Sequence, residues 1–229
     1  FFILLLMGVG VGSAVVNDTF DNETHFNDTW TWRVEPDITY DIGTTRSGYL
    51  FVDATNTATL IQESLNTYDN YTVEIELDAS LMDGNYQYIF FNMENDTLDN
   101  SIYMSAGYSW GNIDVKTRKK VDGTSTVISE TSGILGTQCD FLKFKIQKYT
   151  VSGITYINSW HMDDTGNWTQ HADAYESPFS SFENVSLVFD DGGDGHSYSY
   201  VNYFTITDDG IVDVGGSTPV EPTEPTEAT

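Results

Sequence analysis

Short runs in which apolar and polar residues alternate recur along most of this chain, and they restrict its fold more than any other feature. Tyr71-Thr-Val-Glu-Ile-Glu-Leu-Asp78 sets Val73, Ile75 and Leu77 on one face and Thr72, Glu74, Glu76 and Asp78 on the other. Phe141 to Lys148 repeats the pattern, with Leu142, Phe144 and Ile146 opposed by Lys143, Lys145 and Gln147. A period of two belongs to a half-buried strand. No window between residue 17 and about 207 sustains the 3.6-residue period of a helix. Further candidate strands cover 48–53, 59–62, 102–108, 112–118, 125–130, 154–160, 185–190 and 198–207, parted by Gly, Asp and Asn. Residues 86–93 are nearly all apolar and predict a central strand buried on both faces. The expected fold class is all-β: a two-sheet antiparallel β-sandwich of about eleven or twelve strands.

Charge narrows the partners. Nine Lys and Arg stand against 35 Asp and Glu, a formal net charge of −26. A nucleic-acid binder needs clustered Lys and Arg for the phosphate backbone, and a peripheral protein on an anionic membrane needs a basic face, so both are excluded. A strongly solvated surface, a cation-binding surface and plain solubility all remain open as reasons for the acidity. Lys116, Arg118, Lys119 and Lys120 read as a solvated hairpin end. Cys139 is alone, which forbids an intrachain disulfide and reads as a buried apolar residue.

The ends differ from the body. Residues 1–16, FFILLLMGVGVGSAVV, carry no charge and are too short for the roughly 20 residues of a membrane span. Small residues follow the apolar run, as in a secretory signal remnant, and sequence upstream of Phe1 is expected. Residues 17–208 form the expected sandwich. Residues 209–229 end in repeated Pro-Thr-Glu and read as an extended linker, with further domains expected beyond it. Asn17, Asn22, Asn27, Asn70, Asn95, Asn167 and Asn184 each open an N-glycosylation sequon. Together these features predict an extracellular or cell-surface protein, touching a membrane only through an anchor outside this chain.

Several landmarks occur in a familiar order: Phe20-Asp21, Trp30-Thr-Trp32, Gly48-Tyr-Leu, Leu60-Ile-Gln62 and the alternating strand from Tyr71. Tyr156-Ile-Asn-Ser-Trp-His-Met-Asp-Asp-Thr-Gly-Asn-Trp168 and Val201-Asn-Tyr-Phe-Thr-Ile206 complete the set. Over residues 20–206 the chain resembles the concanavalin A-like lectin/glucanase superfamily, in particular the jelly-roll modules appended to xylosidase-type enzymes and laminin-G-type modules. The resemblance implies a concanavalin-like jelly roll that binds carbohydrate, often with a structural calcium. Asn202 stands where an Asp often does in that terminal strand, so a metal ligand there is not implied.

Three kinds of chemistry have candidate residues. Sugar recognition uses aromatic faces and planar polar groups, and Trp110, Trp168 and Tyr200 are the candidates. Calcium takes several hard oxygen ligands on a flexible loop. Asp190, Asp191 and Asp194, interleaved with glycines, offer such a loop, alongside the plainer reading of an acidic hairpin; Asp18-Asp21 and Asp163-Asp164 are lesser candidates. A glycosidase needs two carboxyls flanking the scissile bond. Glu74, Glu76 and Asp78 share one strand face and would supply them if the chain were a concanavalin-like hydrolase, but a solvated outer face is the favoured reading. His161 and His171, ten apart across a turn, lack a third ligand at metal spacing. The expected function is therefore a non-catalytic carbohydrate-binding or adhesion module of a larger protein. A glycoside hydrolase and a structural subunit of a surface layer or filament are the alternatives.

Overall fold

Alternation makes the strands, and antiparallel pairing assembles them into sheets. The fold, taken from a computed structural model of the chain, is described for residues 13–34, 38–43, 47–55, 58–62, 69–78, 87–95, 97–109, 112–132, 141–190 and 197–209. The first half comprises β1 (Ser13–Asp18), α1 (Glu23–Thr29), β2 (Trp30–Val34), β3 (Ile38–Ile42), β4 (Leu50–Ala54), β5 (Ala58–Gln62), β6 (Tyr71–Asp78) and β7 (Gln87–Asn95). The second half comprises β8 (Thr97–Ser109), β9 (Asn112–Val121), β10 (Thr124–Thr131), β11 (Leu142–Val151), β12 (Ile154–Met162), β13 (Trp168–Glu176), β14 (Asn184–Asp190) and β15 (Ser197–Asp208).

An eight-stranded sheet runs in the order β13-β12-β11-β6-β15-β4-β3, with β1 also paired to β15. The seven-stranded sheet runs β10-β9-β8-β7-β14-β5-β2, so β7 is central as its sequence predicts. All pairings are antiparallel. The expected two-sheet antiparallel sandwich is present, with β1, β2, β3 and β13 added to the strands read from the sequence. β1 begins at Ser13, four residues before the boundary placed at residue 17, and pairs from Ser13↔Asp208 to Asp18↔Phe204.

The inner faces fill the space between the sheets. Leu50, Val73, Ile75, Phe144 and Phe204 from one sheet join Leu60, Met104, Val115, Leu187 and Phe189 from the other in a single buried cluster. Each such side chain contributes about 1.5–3 kcal/mol by leaving water. The chain enters this core through α1, which Asn22 caps by accepting the Thr24 N–H at 3.0 Å. Phe26 of α1 is buried on Trp30, and Trp30 meets Phe204 edge-on at 4.8 Å. Asp18 holds this corner together: Oδ1 accepts the Phe20 N–H at 2.8 Å and Oδ2 accepts Trp30 Nε1–H at 2.7 Å.

Two tight hairpins fix register, one in each sheet. Asp122-Gly123 joins β9 to β10, and Ser152-Gly153 joins β11 to β12; all four residues have positive φ, between 48° and 80°. Two-residue loops of that hand match the twist of the flanking strands. Among the described residues no helix is long and apolar enough to cross a membrane.

Candidate functional site: the outer face of the eight-stranded sheet

Each strand of the eight-stranded sheet sends its alternate residues away from the core, and register decides which of them meet. Lys145 of β11 lies between Trp160 of β12 and Glu74 of β6; Lys143 lies between Met162 and Glu76. Met162 in turn faces Trp168 of β13. On the other side of β6, Asp78 pairs with Tyr200 of β15, and Tyr200 with Phe51 of β4. The five steps from β13 to β4, at about 4.8 Å each, give this row a width of about 24 Å.

A bulge in β15 organises its centre. The register slips between Val201 and Tyr203, so that Val201 and Phe204 are both buried while Asn202 and Tyr203 both turn outward. The Tyr203 hydroxyl donates to Glu74, and the Asn202 amide donates to Glu76. Lys143 Nζ lies 2.7 Å from Glu76 and 3.3 Å from the Tyr203 oxygen. Burial, and then the Glu74 carboxylate that its hydroxyl faces, push the ionisation of Tyr203 above the ordinary tyrosine value. The phenol therefore stays a donor. A second polar set lies further along the strands, where Asp209 accepts from Thr72 at 2.6 Å and from Gln147 at 3.1 Å.

The sequence expectation of a solvated acidic face is corrected here. Glu74 and Glu76 are half-buried and Asp78 is buried, because residues of β15 and Lys143 lie against that face of β6. Alternate residues stand about 7 Å apart along a strand, inside the range of about 6.5–9.5 Å for an inverting glycosidase pair. Both carboxylates nevertheless project from one strand, and each already accepts from a neighbouring side chain.

Aromatic rings flank this polar centre. On one side Lys145 Nζ sits 4.0 Å from the centre of the Trp168 ring and 4.9 Å from that of Trp160. On the other, Tyr200 packs on Phe51 at 4.8 Å and on Tyr49 at 6.2 Å, and Tyr198 stacks on Phe51 at 6.4 Å and 11°. Two of the three sequence-predicted sugar contacts, Trp168 and Tyr200, thus belong to one face; Trp110 lies outside the described residues. Sequence reasoning missed Lys143, Lys145, Asn202 and Tyr203, and passed over Trp160 in favour of Trp110, Trp168 and Tyr200. The alternation of β11 carried the signal for the lysines, but only register brings them to the tryptophans and acids.

Other predicted residues are placed as follows. Asp190 ends β14, while Asp191 and Asp194 lie outside the described residues, as does Cys139. Among the described residues no group of three or more His, Cys, Asp or Glu converges as a metal site. Both oxygens of Asp18 are occupied as above, and Asp163 Oδ1 closes its own turn by accepting from Thr165 N–H and hydroxyl at 2.9 and 2.6 Å. Asn17, Asn22, Asn27 and Asn167 are exposed, and Asn184 is half-buried. Asn70 is a correction: it is buried, and its Oδ1 accepts the Thr150 N–H at 2.8 Å, so a glycan there would have to displace packed structure. The Asn95 side chain lies outside the described set.

The basic run on β9 is engaged locally, with Lys116 2.7 Å from Glu130 and Lys120 3.5 Å from Asp99. His161 and His171 do meet, Nδ1 to Nε2 at 2.5 Å, and Nδ1 of His171 is buried without a hydrogen-bond partner. Burial holds both imidazoles below the ordinary histidine range, His171 at about 4.

The sequence matches no protein-family model and no curated protein. Its fold is shared with solved structures. A GH43 protein from Bacillus licheniformis superposes with a TM-score of 0.65 at 14% identity, over 84% of this chain and 39% of that one. The chain thus spans about two-fifths of that protein's length. The carbohydrate-binding module CBM66 from Bacillus subtilis gives 0.51 at 15% identity, over 78% of this chain and 95% of the module. Peanut lectin gives 0.53 at 12% identity, over 85% of this chain and 97% of the lectin. The chain has the β-sandwich fold common to lectins and glucanase-like modules.

Proposed function

We propose that this chain is an extracellular carbohydrate-binding module that acts without catalysis, as one part of a larger protein. The observation that carries the proposal is the outer face of the eight-stranded sheet. There aromatic rings stand at both ends of a fixed row of carboxylate, amide, phenol and ammonium groups. Rings supply apolar faces for the C–H side of a pyranose, and the polar groups match its hydroxyls. The carbohydrate-binding module and the lectin that share the fold support the same ligand class. The ion pair and hydrogen bonds that engage Glu74 and Glu76 favour a binding role over hydrolysis for that strand.

The test is a glycan array probed with the full chain, with and without calcium. Binding of one structural class of glycan is expected. Absence of binding in both conditions overturns the proposal, and release of reducing sugar that depends on Glu74 and Glu76 replaces it with the hydrolase reading.

A further inference from the structure

We infer that Lys145, held between Trp160 and Trp168, is the specificity contact for an acidic glycan, one that bears a carboxylate or sulfate ester. This deepens the carbohydrate-binding reading and rests on it.

Lys145 is set apart by its surroundings. The ion pairs among the described residues engage Lys116, Lys120 and Lys143, while no described carboxylate lies within ion-pairing distance of Lys145. This holds in a chain of net charge −26, and although Glu74 is its direct cross-strand neighbour. The β15 bulge explains the contrast. By turning Asn202 and Tyr203 outward together, it supplies a phenol to Glu74 and an amide to Glu76, while Lys143 completes the Glu76 pair. Both acids nearest to Lys145 on β6 therefore have donors of their own. The Lys145 ammonium lies instead over two indole rings, which attract a cation but offer it no hydrogen-bond acceptor.

An ammonium has three donors. Indole faces hold its position while leaving those donors to a ligand oxygen, and the rings beside it suit a sugar. A carboxylate or sulfate meets that site best, because a charge-assisted hydrogen bond exceeds a neutral one. Glu74 and Glu76 oppose an anion at short range and are met there by the ammoniums of Lys143 and Lys145, while charges beyond about 8–10 Å are screened at physiological salt.

Binding of the full chain to oligogalacturonate and to its methyl ester separates the charge from the sugar, and a sulfated galactan with its desulfated form separates sulfate from carboxylate. At least one acid form is expected to bind about tenfold or more tightly than its neutral counterpart. Lys145→Met should remove that preference, so that the acid form binds no more tightly than its neutral counterpart, and Lys145→Arg, which keeps the cation, should retain it. Equal binding of charged and neutral forms, or a preference that survives Lys145→Met, overturns the inference and leaves the carbohydrate-binding function standing. If neither these probes nor any arrayed glycan binds, the functional reading falls and the inference with it.

Discussion

Replacing Tyr203 with Phe removes one oxygen from the centre of the outer face and tests how that face is held together. The hydroxyl donates to Glu74 and receives Lys143 at 3.3 Å. A hydrogen bond to a charged partner contributes about 1.5–3 kcal/mol. Tyr203 and Glu74 are only half-buried, so water recovers part of that, and a loss of about 1–1.5 kcal/mol is expected. With a urea slope of about 2–3 kcal/mol/M, the unfolding midpoint should fall by about 0.5 M at unchanged slope. A cycle with Glu74→Gln should show a coupling of about 1 kcal/mol between the two positions. Freed from its donor, Glu74 is expected to pair with its cross-strand neighbour Lys145, and the tryptophan emission of the folded variant should change as the ammonium leaves the Trp160 and Trp168 rings. A midpoint within 0.1 M of the parent, roughly the precision of the method, together with unchanged emission, would refute the central network.

Three further outcomes are expected. Asp18→Ala leaves the Phe20 N–H and the Trp30 indole N–H unpaired in the core and should cost about 2–4 kcal/mol in urea unfolding; a cost below about 1 kcal/mol would mean that water replaces the carboxylate. Gly123→Ala places a side chain at φ +76°, with nothing closer to the new Cβ than 3.5 Å, so only the backbone conformation should cost, about 1–2 kcal/mol in thermal unfolding; no change would mean that the hairpin adopts another turn. His171 sits at about 4 in the folded protein against about 6.5 when unfolded, so the unfolded chain binds more protons in that window. Its contribution is complete above about pH 6.5 and is lost as pH falls toward 4; discounted for its partial exposure it amounts to about 1–2 kcal/mol. His171→Gln should flatten the stability profile between pH 6.5 and 5, and a profile that keeps its slope would contradict the buried pair.

How much of this was legible in the sequence follows from how strongly each segment alternates. β6 and β11 each bury one face and turn the other outward, so their orientation is readable residue by residue, apart from Asp78, which is buried on the outward side, and Lys148, a charged residue at a core-facing position. β13 buries only Ala172 and carries two register shifts against β12, which leaves no period to find. α1 spans seven residues and is anchored by Phe26, too short for a helical period to stand out. The bulge in β15 was hidden for another reason. Strict alternation would set Phe204 and Ile206 on the face of Tyr198 and Tyr200, and only pairing with β6 shows the slip that buries them instead. The candidate site depended on that slip. Its aromatic ends were partly visible as Trp168 and Tyr200, whereas the donors to Glu74 and Glu76 required the three-dimensional register.

The most direct test of the binding face is calorimetric titration of the best array glycan into the parent chain, Trp168→Ala and Tyr200→Ala, with folding checked by circular dichroism. Loss of about tenfold or more in affinity in both folded variants, about 1.4 kcal/mol each, is the predicted result. Unaltered affinity in both would contradict it and move the carbohydrate site off the eight-stranded sheet.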